Sequence, residues 1–450
     1  METENAQVLG TRRYGVKPAV ERQVSKDEFV TQNFHLNRAY IYAKERGGKE
    51  ADLLLDEMKR RYAWYRENWR MLPARAIKEK AGNTFVDKFK VPPLSIDIEL
   101  AAICNLVCPF CFRQWIATPD KCMDSSLAFK LIDQAVELGV PSIKFNWRGE
   151  PMMHPKLAEL INYAKKKGIL ETIINTNATL LNHSASVQLI EAGLDILIYS
   201  FDGGTEESYN QMRPGRFKSN SFNKVYKNIQ DFEKLRTKMG AVFPFTKIQM
   251  VLTEETFSEQ EEYYNLFQDC VDEVTTTAYM ERGGNMKVLQ PEEHSELIAA
   301  LPEGQTDLDN VRYWKEVDGD LYLETGRLPC EQPFQRLMIS YDGRVFMCCI
   351  DWGNEHPVGY VAGDYFTKGD ADYEMVMDRA RNNKRGFDSM NLDMPSRYTN
   401  PEKKVRSLAD IWNGREINAV RELHVNGKLE TVPVCKKCTF VDTYSWKKIR

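Results

Sequence analysis

Three cysteines share one short loop: Cys104, Cys108 and Cys111, at a C-x3-C-x2-C spacing, with Pro109 among them. A loop this short turns three sulfurs towards one point. Three thiolates are one fewer than a closed tetrahedral site needs, and iron–sulfur clusters are usually held by four. A cubane held by only three keeps one iron open to an outside ligand. Zinc is the competing reading, but structural zinc favours paired C-x2-C arms and four ligands. Disulfides suit secreted chains, and nothing marks this chain as secreted. Buried core thiols do not gather in a polar loop around a proline.

A second group of thiols lies towards the C-terminus. Cys330 precedes Ile339-Ser340-Tyr341-Asp342-Gly343-Arg344-Val345-Phe346-Met347-Cys348. An Asp-Gly step between alternating apolar residues predicts a hairpin, which would bring Cys348 back towards Cys330. Cys435-Lys436-Lys437-Cys438 adds a C-x2-C arm. Four thiolates complete the set for a closed cluster, and zinc could use the same four. Cys349 is left over, and three readings are open for it: an alternative ligand, a hydrogen-atom donor or, favoured here, a buried thiol.

The 450 residues are 42% hydrophobic and 28% charged, an ordinary globular composition with room for two or three domains. A net charge of −4 gives no bias towards nucleic acid or membrane. No apolar run approaches the roughly 20 residues that a membrane span needs. Met1-Glu2-Thr3-Glu4-Asn5 is acidic and polar, so no signal peptide is expected. Ten cysteines without a secretion signal point to the reducing cytoplasm.

Positioning the thiols falls to an alternating run. Strand patterns read Ser95–Leu100, Ser142–Trp147, Thr172–Thr176, Asp195–Phe201, Thr246–Leu252 and Glu273–Thr277. Helical patterns lie between them, with Gly139, Gly168 and Gly193 just past their ends, where a left-handed cap is wanted. Such alternation predicts an α/β fold, a parallel sheet covered by helices. Six units make a partial (β/α)6, TIM-like barrel with its site on the loops after the strands. The Cys loop follows the first strand, Arg148-Gly149-Glu150-Pro151 the second, Asn175-Thr176-Asn177 the third and Ser200-Phe201-Asp202 the fourth. All four fall on one rim. Upstream, Leu54, Met58, Tyr62, Tyr65 and Trp69 recur at helical steps, and Pro73 is expected to stop that helix. The division expected is a helical N-terminal extension (1–92), the barrel (93–284), a polar connection (285–329) and a C-terminal region (330–450). Residues 1–30 read as an extended arm.

The rim residues have chemical uses. Gly149 admits a close backbone approach. Glu150 can accept from an ammonium group. Asn175, Asn177, Ser200 and Asp202 suit the hydroxyls and other polar groups of a ligand. Arg282, past the sixth strand, is a candidate to orient or deprotonate a substrate and is the catalytic residue expected.

The stretch Cys104–Phe112 resembles the signature loop of the radical S-adenosylmethionine (SAM) enzymes. That resemblance implies a 4Fe–4S cluster on Cys104, Cys108 and Cys111, with SAM chelated to the open iron and cleaved by one electron to a 5′-deoxyadenosyl radical. It implies that Phe112 packs near the adenine. Gly149-Glu150-Pro151 resembles the family's Gly-Glu-Pro motif around the SAM amino group, with Arg148 where a first glycine is usual. It further implies contacts to SAM from the strand ends carrying Asn175, Asn177, Ser200 and Asp202. Arg213, in Met212-Arg213-Pro214-Gly215, matches a frequent family pattern and would meet the SAM carboxylate. Cys330, Cys348, Cys435 and Cys438, with Ser407-Leu408-Ala409-Asp410-Ile411-Trp412, resemble the family's C-terminal SPASM/twitch domain, a β-hairpin plus helix holding one auxiliary 4Fe–4S cluster. The implied activity is hydrogen-atom removal from a substrate C–H bond, with oxidation (dehydrogenation) of a sugar-like small molecule favoured because no peptide-recognition module is visible. A flavodoxin- or ferredoxin-type reductant would supply electrons. The alternatives are a peptide-modifying epimerase or crosslinking enzyme, and, in another class, an iron–sulfur electron-transfer or scaffold protein.

Overall fold

The computed structural model describes residues 26–115, 120–253, 255–279, 314–317, 320–354, 356–363, 405–436, 438, 440 and 444–448. Strand β1 (Ser95–Ile98) puts Ile96 and Ile98 into the core under the helices. Five strands follow: β2 (Ser142–Lys144), β3 (Glu171–Thr176), β4 (Ile196–Ser200), β5 (Phe245–Leu252) and β6 (Glu273–Ala278). Each runs parallel to the one before it. The crossing helices start and stop on their expected signals. Asp124 accepts from the backbone of Ser126 and Leu127 to open the helix Ser125–Leu138, and Gly139, left-handed at φ 82, closes it. Asn182 and Gly193 do the same for His183–Ala192. This is the partial (β/α)6 barrel, with leucine, isoleucine and phenylalanine filling the space between sheet and helices.

The sheet continues beyond β1. In the connection, β7 (Trp314–Val317) and β8 (Asp320–Arg327) pair antiparallel. Next come β9 (Arg336–Ile339), β10 (Arg344–Phe346) and β11 (Pro357–Tyr360). β9 lies parallel to β1, and the Asp342-Gly343 turn folds β10 back on it. The described sheet is therefore nine-stranded, ordered β11-β10-β9-β1-β2-β3-β4-β5-β6. The tail strand β12 (Tyr444–Lys448) pairs antiparallel with β8. Part of the stretch expected as a polar connection is thus strand; Trp314, Val317, Tyr322 and Thr325 are good strand formers.

Two more expectations change. The N-terminal helix runs Gly48–Lys78, straight through Pro73. Proline removes the amide that would have satisfied the Trp69 carbonyl; Gln335 Nε2 donates to that carbonyl instead, at 2.6 Å. Met58, Tyr62 and Tyr65 are buried as the pattern predicts. Lys26–Gln32, at the end of the expected arm, is helical. Arg282, residues 1–25 and 364–404 lie outside the described residues. No described helix is long and apolar enough to cross a membrane.

A buried ion pair joins barrel and C-terminal hairpin. Arg148 donates through Nε and Nη2 to both oxygens of Glu99, at 2.6 and 2.7 Å, and the two side chains are 1% and 0% exposed. Glu99 also accepts from Tyr341 N at 3.1 Å. Arg148 Nη1 donates to Trp352 O at 3.0 Å. Glu99 N donates to Ile339 O at 2.8 Å. Removing one partner of a buried pair strands the other charge. Arg148→Met should therefore cost about 3–5 kcal/mol in chemical denaturation. The double variant Arg148→Met/Glu99→Leu should regain much of that. A single-variant loss below about 1 kcal/mol, the range of surface pairs, would show that the pair does not bear on docking.

Candidate functional site

The Cys loop leaves β1 through buried Leu100, Ala101 and Ala102. It is held from two sides. Ala102 O accepts from Arg113 Nε at 2.6 Å. Val107 N donates to Pro214 O at 3.0 Å, and Arg216 N to Asn105 O at 2.9 Å. Asp120 ties the two sides together, accepting from Arg113 at 2.8 Å and from both terminal nitrogens of Arg216 at 2.7 and 2.8 Å. Below the loop sits Gly149, at φ 63. A Cβ there would overlap the carbonyl oxygens of Ala101 and Ile103. The close approach that Gly149 permits is therefore to the Cys loop. The contact is completed by Glu150 N donating to Ile103 O at 2.9 Å.

One cavity of about 280 Å³ opens above this loop. Cys104, Cys108, Cys111, Phe112, Gly149, Glu150, Asn175, Asn177, Ser200 and Arg213 all line it. The Glu150 carboxylate, 2% exposed, accepts from Met152 N at 3.1 Å, Thr176 Oγ1 at 2.7 Å and Asn177 N at 2.8 Å. Burial pushes its pKa up, and those three donors oppose the rise. A carboxylate has roughly four acceptor sites, so Glu150 is oriented with capacity left. Asn177 faces the loop: its Nδ2 donates to Asn105 Oδ1 at 2.9 Å. Asn175 Oδ1 is buried without a partner. Arg213 pairs with Asp202 and lies 5.6 Å from the Phe110 ring centroid.

Asp202 differs from expectation. It is fully buried behind Arg213 and does not line the cavity; its other oxygen accepts from Val251 N at 2.6 Å. An acid facing an arginine inside the wall is spent on aiming it. Conversely, the sequence reading passed over Lys144, Asn146, Trp147, Gln249, Thr277, Tyr279 and Trp352, all of which line the cavity. A signal existed for the strand residues. Lys144 and Asn146, like Thr277 and Tyr279, are two apart and so share the inner face.

The second thiol group also assembles. Cys435 and Cys438 are buried, Cys330 and Cys348 half-buried. Burial lifts the Cys330 pKa to about 12, and the neighbouring Cys438 and Cys349 add to it. Arg327 Nη1 donates to the carbonyls of Cys435 and Cys438 at 2.9 and 3.2 Å. His424, which the sequence did not single out, is 1% exposed and has Nε2 3.5 Å from Cys435 Sγ and Nδ1 3.2 Å from Cys330 N. Burial lowers its pKa to about 4, so it is neutral.

Both thiol groups use one local device. The amide two residues on points at the sulfur: Ile350 N at Cys348 and Phe440 N at Cys438, each 3.3 Å, with Leu106 at Cys104 and Gln332 at Cys330. Amides aimed at sulfur favour the thiolate, the form that binds metal. In a cluster each thiolate meets its own iron. The donor sets therefore fit a three-thiolate and a four-thiolate cluster.

Known proteins bear on these sites. Residues 98–267 match the family model of the Radical SAM superfamily, and residues 330–372 that of SPASM, an iron–sulfur cluster-binding domain. The chain is 26% identical over 262 residues to the tungsten-containing aldehyde ferredoxin oxidoreductase cofactor-modifying protein of Pyrococcus furiosus, covering 56% of this chain and 69% of that one. It is 34% identical over 124 residues to the GTP 3′,8-cyclase of Chlorobaculum tepidum, covering 27% of this chain and only 37% of that one. Among solved structures, BtrN in complex with AdoMet and 2-DOIA aligns at 14% identity, over 78% of this chain and 94% of its own, with a TM-score of 0.39.

Two outcomes follow from the loop geometry. Gly149→Ala should displace the Cys loop, so that anaerobic reconstitution loses about half of its iron; full iron loading would show that the loop tolerates the Cβ. Burial, with the Glu150 carboxylate adding to it, raises the Cys104 pKa to about 11. Loading must therefore release protons and tighten as pH rises from neutrality. A pH-independent iron affinity would contradict that.

Proposed function

We propose that this protein, a radical SAM enzyme with a C-terminal SPASM domain, removes a hydrogen atom from a C–H bond of a polar small molecule and oxidises it. Bound on Cys104, Cys108 and Cys111, a 4Fe–4S cluster with SAM supplies the 5′-deoxyadenosyl radical, while a second cluster on Cys330, Cys348, Cys435 and Cys438 supplies an electron acceptor. The chain's own residues bind and orient. Glu150, fixed by three donors, offers a carboxylate to the SAM ammonium. Arg213, held by Asp202, offers a guanidinium to the SAM carboxylate. Asn175 and Ser200 offer neutral groups to the ribose. Phe112, 5% exposed, gives the adenine an apolar surface.

One observation carries the oxidative reading. Trp147 lines the cavity, and its Nε1 donates at 3.0 Å to Cys349 O, in the residue next to Cys348. A single side chain thus spans from the cavity to the second thiol group. An acceptor placed there suits a substrate that gives up a second electron. The Pyrococcus furiosus relative is named for modifying a cofactor, which agrees with a small-molecule substrate.

Replacing Cys104, Cys108 and Cys111 by Ala should abolish 5′-deoxyadenosine formation under anaerobic reduction. Replacing only Cys435 and Cys438 should lower bound iron from about eight atoms to about four, with 5′-deoxyadenosine still formed at a reduced rate. Oxidised product should disappear in that double variant; its normal formation would remove the acceptor role. A wild-type protein that never cleaves SAM would instead be an electron carrier or scaffold.

A further inference from the structure

The cavity is lined by more than the groups suited to SAM's charges. Asn146 follows β2, Gln249 lies in β5 and Thr277 in β6, and all three line the cavity. Asn146 is 8% exposed, and its Oδ1 accepts from Asn175 N at 2.8 Å. Its amide nitrogen, the Gln249 amide and the Thr277 hydroxyl have no partner among the described residues. The buried Asn175 Oδ1 beside them is likewise unpartnered. Gln249 and Thr277 are half-buried, so their groups are open to a ligand in the cavity, and the buried Asn175 Oδ1 gains from one, since a buried acceptor left unpaired is costly.

Their chemistry narrows what that ligand is. All three are uncharged, and each offers a hydrogen bond without a compensating charge. Two charged pairs of the neighbouring strands are matched: Lys247 with Glu273 at 2.7 Å and Arg336 with Asp97 at 3.6 Å. Lys144 lines the same cavity and can donate to a hydroxyl as readily as to an anion. Trp147 and Trp352 add flat apolar surface at the cavity's edge. Neutral donors and acceptors on several strands, beside an aromatic surface, match a compact molecule with several hydroxyls and a C–H-bearing face. A site built to bond hydroxyls also rejects analogues that lack them, because its own groups are then left unpaired.

We propose that Asn146, Gln249 and Thr277 form the substrate subsite and that the substrate is a hydroxyl-rich small molecule of the sugar or cyclitol class. This rests on the reading of the cavity as a joint SAM and substrate site. The test is equilibrium dialysis of the anaerobically reconstituted, SAM-loaded full chain. The probes are a pool of hexoses, hexosamines and inositols, the corresponding deoxy compounds, and a pool of short peptides. At least one polyol should be retained in preference to its deoxy counterpart. Gln249→Met and Thr277→Val should each weaken that retention by about tenfold, as loss of one well-made hydrogen bond predicts. Both variants should keep the change that SAM makes in the electron paramagnetic resonance spectrum of the reduced cluster, which also shows that they fold. Retention of no polyol, retention of peptide alone, or undiminished retention in both variants would overturn the proposal. Absence of the SAM-induced change in wild-type protein would overturn the SAM site itself, a separate failure.

Discussion

The carboxylate of Glu99 sits where no water reaches it, and Arg148 is its partner. Both charges were taken out of water, which is expensive, and a buried pair often returns little net stability. What it can return is geometry. Glu99 follows β1, Arg148 follows β2, and Tyr341 and Trp352 belong to the C-terminal hairpin and the loop after it. A hairpin shifted by one residue would leave that charge without its amide and carbonyl partners. The pair therefore favours one register for the docking of β9 on β1, and with it the position of Cys348 relative to the cavity above the Cys loop.

The same seam explains Arg148. A residue with two hydrogen atoms in place of a side chain would suffice if the β2 loop only had to approach the Cys loop, and Gly149 already meets that need. The longer side chain reaches the other way, into the C-terminal part. Successive residues thus face different partners: Trp147 meets Cys349, Arg148 meets Glu99 and Trp352, Gly149 meets Ala101 and Ile103, and Glu150 meets Thr176 and Asn177. The β2 loop is the piece on which both thiol groups converge.

Much of this was legible locally. The six barrel strands and the caps at Asp124, Gly139 and Gly193 follow from periodicity and turn chemistry, which act over a few residues. The thiol groups were legible because spacing alone brings three sulfurs together and an Asp-Gly hairpin folds Cys348 back. The failures are long-range. Pro73 ends no helix because Gln335, far along the chain, satisfies the carbonyl it frees. Asp202 turned out to be a strut because its partner, Arg213, comes from a helix end that the strand pattern does not show. β9 adds to β1 in parallel, a pairing that no local signal announces. His424 shares a buried helix face with Ile417, Val420 and Arg421, and only the tertiary fold puts it against Cys330 and Cys435.

The two thiol groups differ in what surrounds them, and that difference fits the roles proposed for them. Around Cys104, Cys108 and Cys111 the wall is a cavity with a spare carboxylate site on Glu150 and an aimed guanidinium on Arg213. Those groups are useful only to a ligand that enters and leaves. Around Cys330, Cys348, Cys435 and Cys438 the neighbours are backbone: Arg327 bonds carbonyls, and amides meet sulfurs. His424 is buried and neutral there, adding no charge. Such a shell suits a held cofactor. On the proposed reading, chemistry on carbon belongs to the first site, and Trp147 reaches from there towards the second.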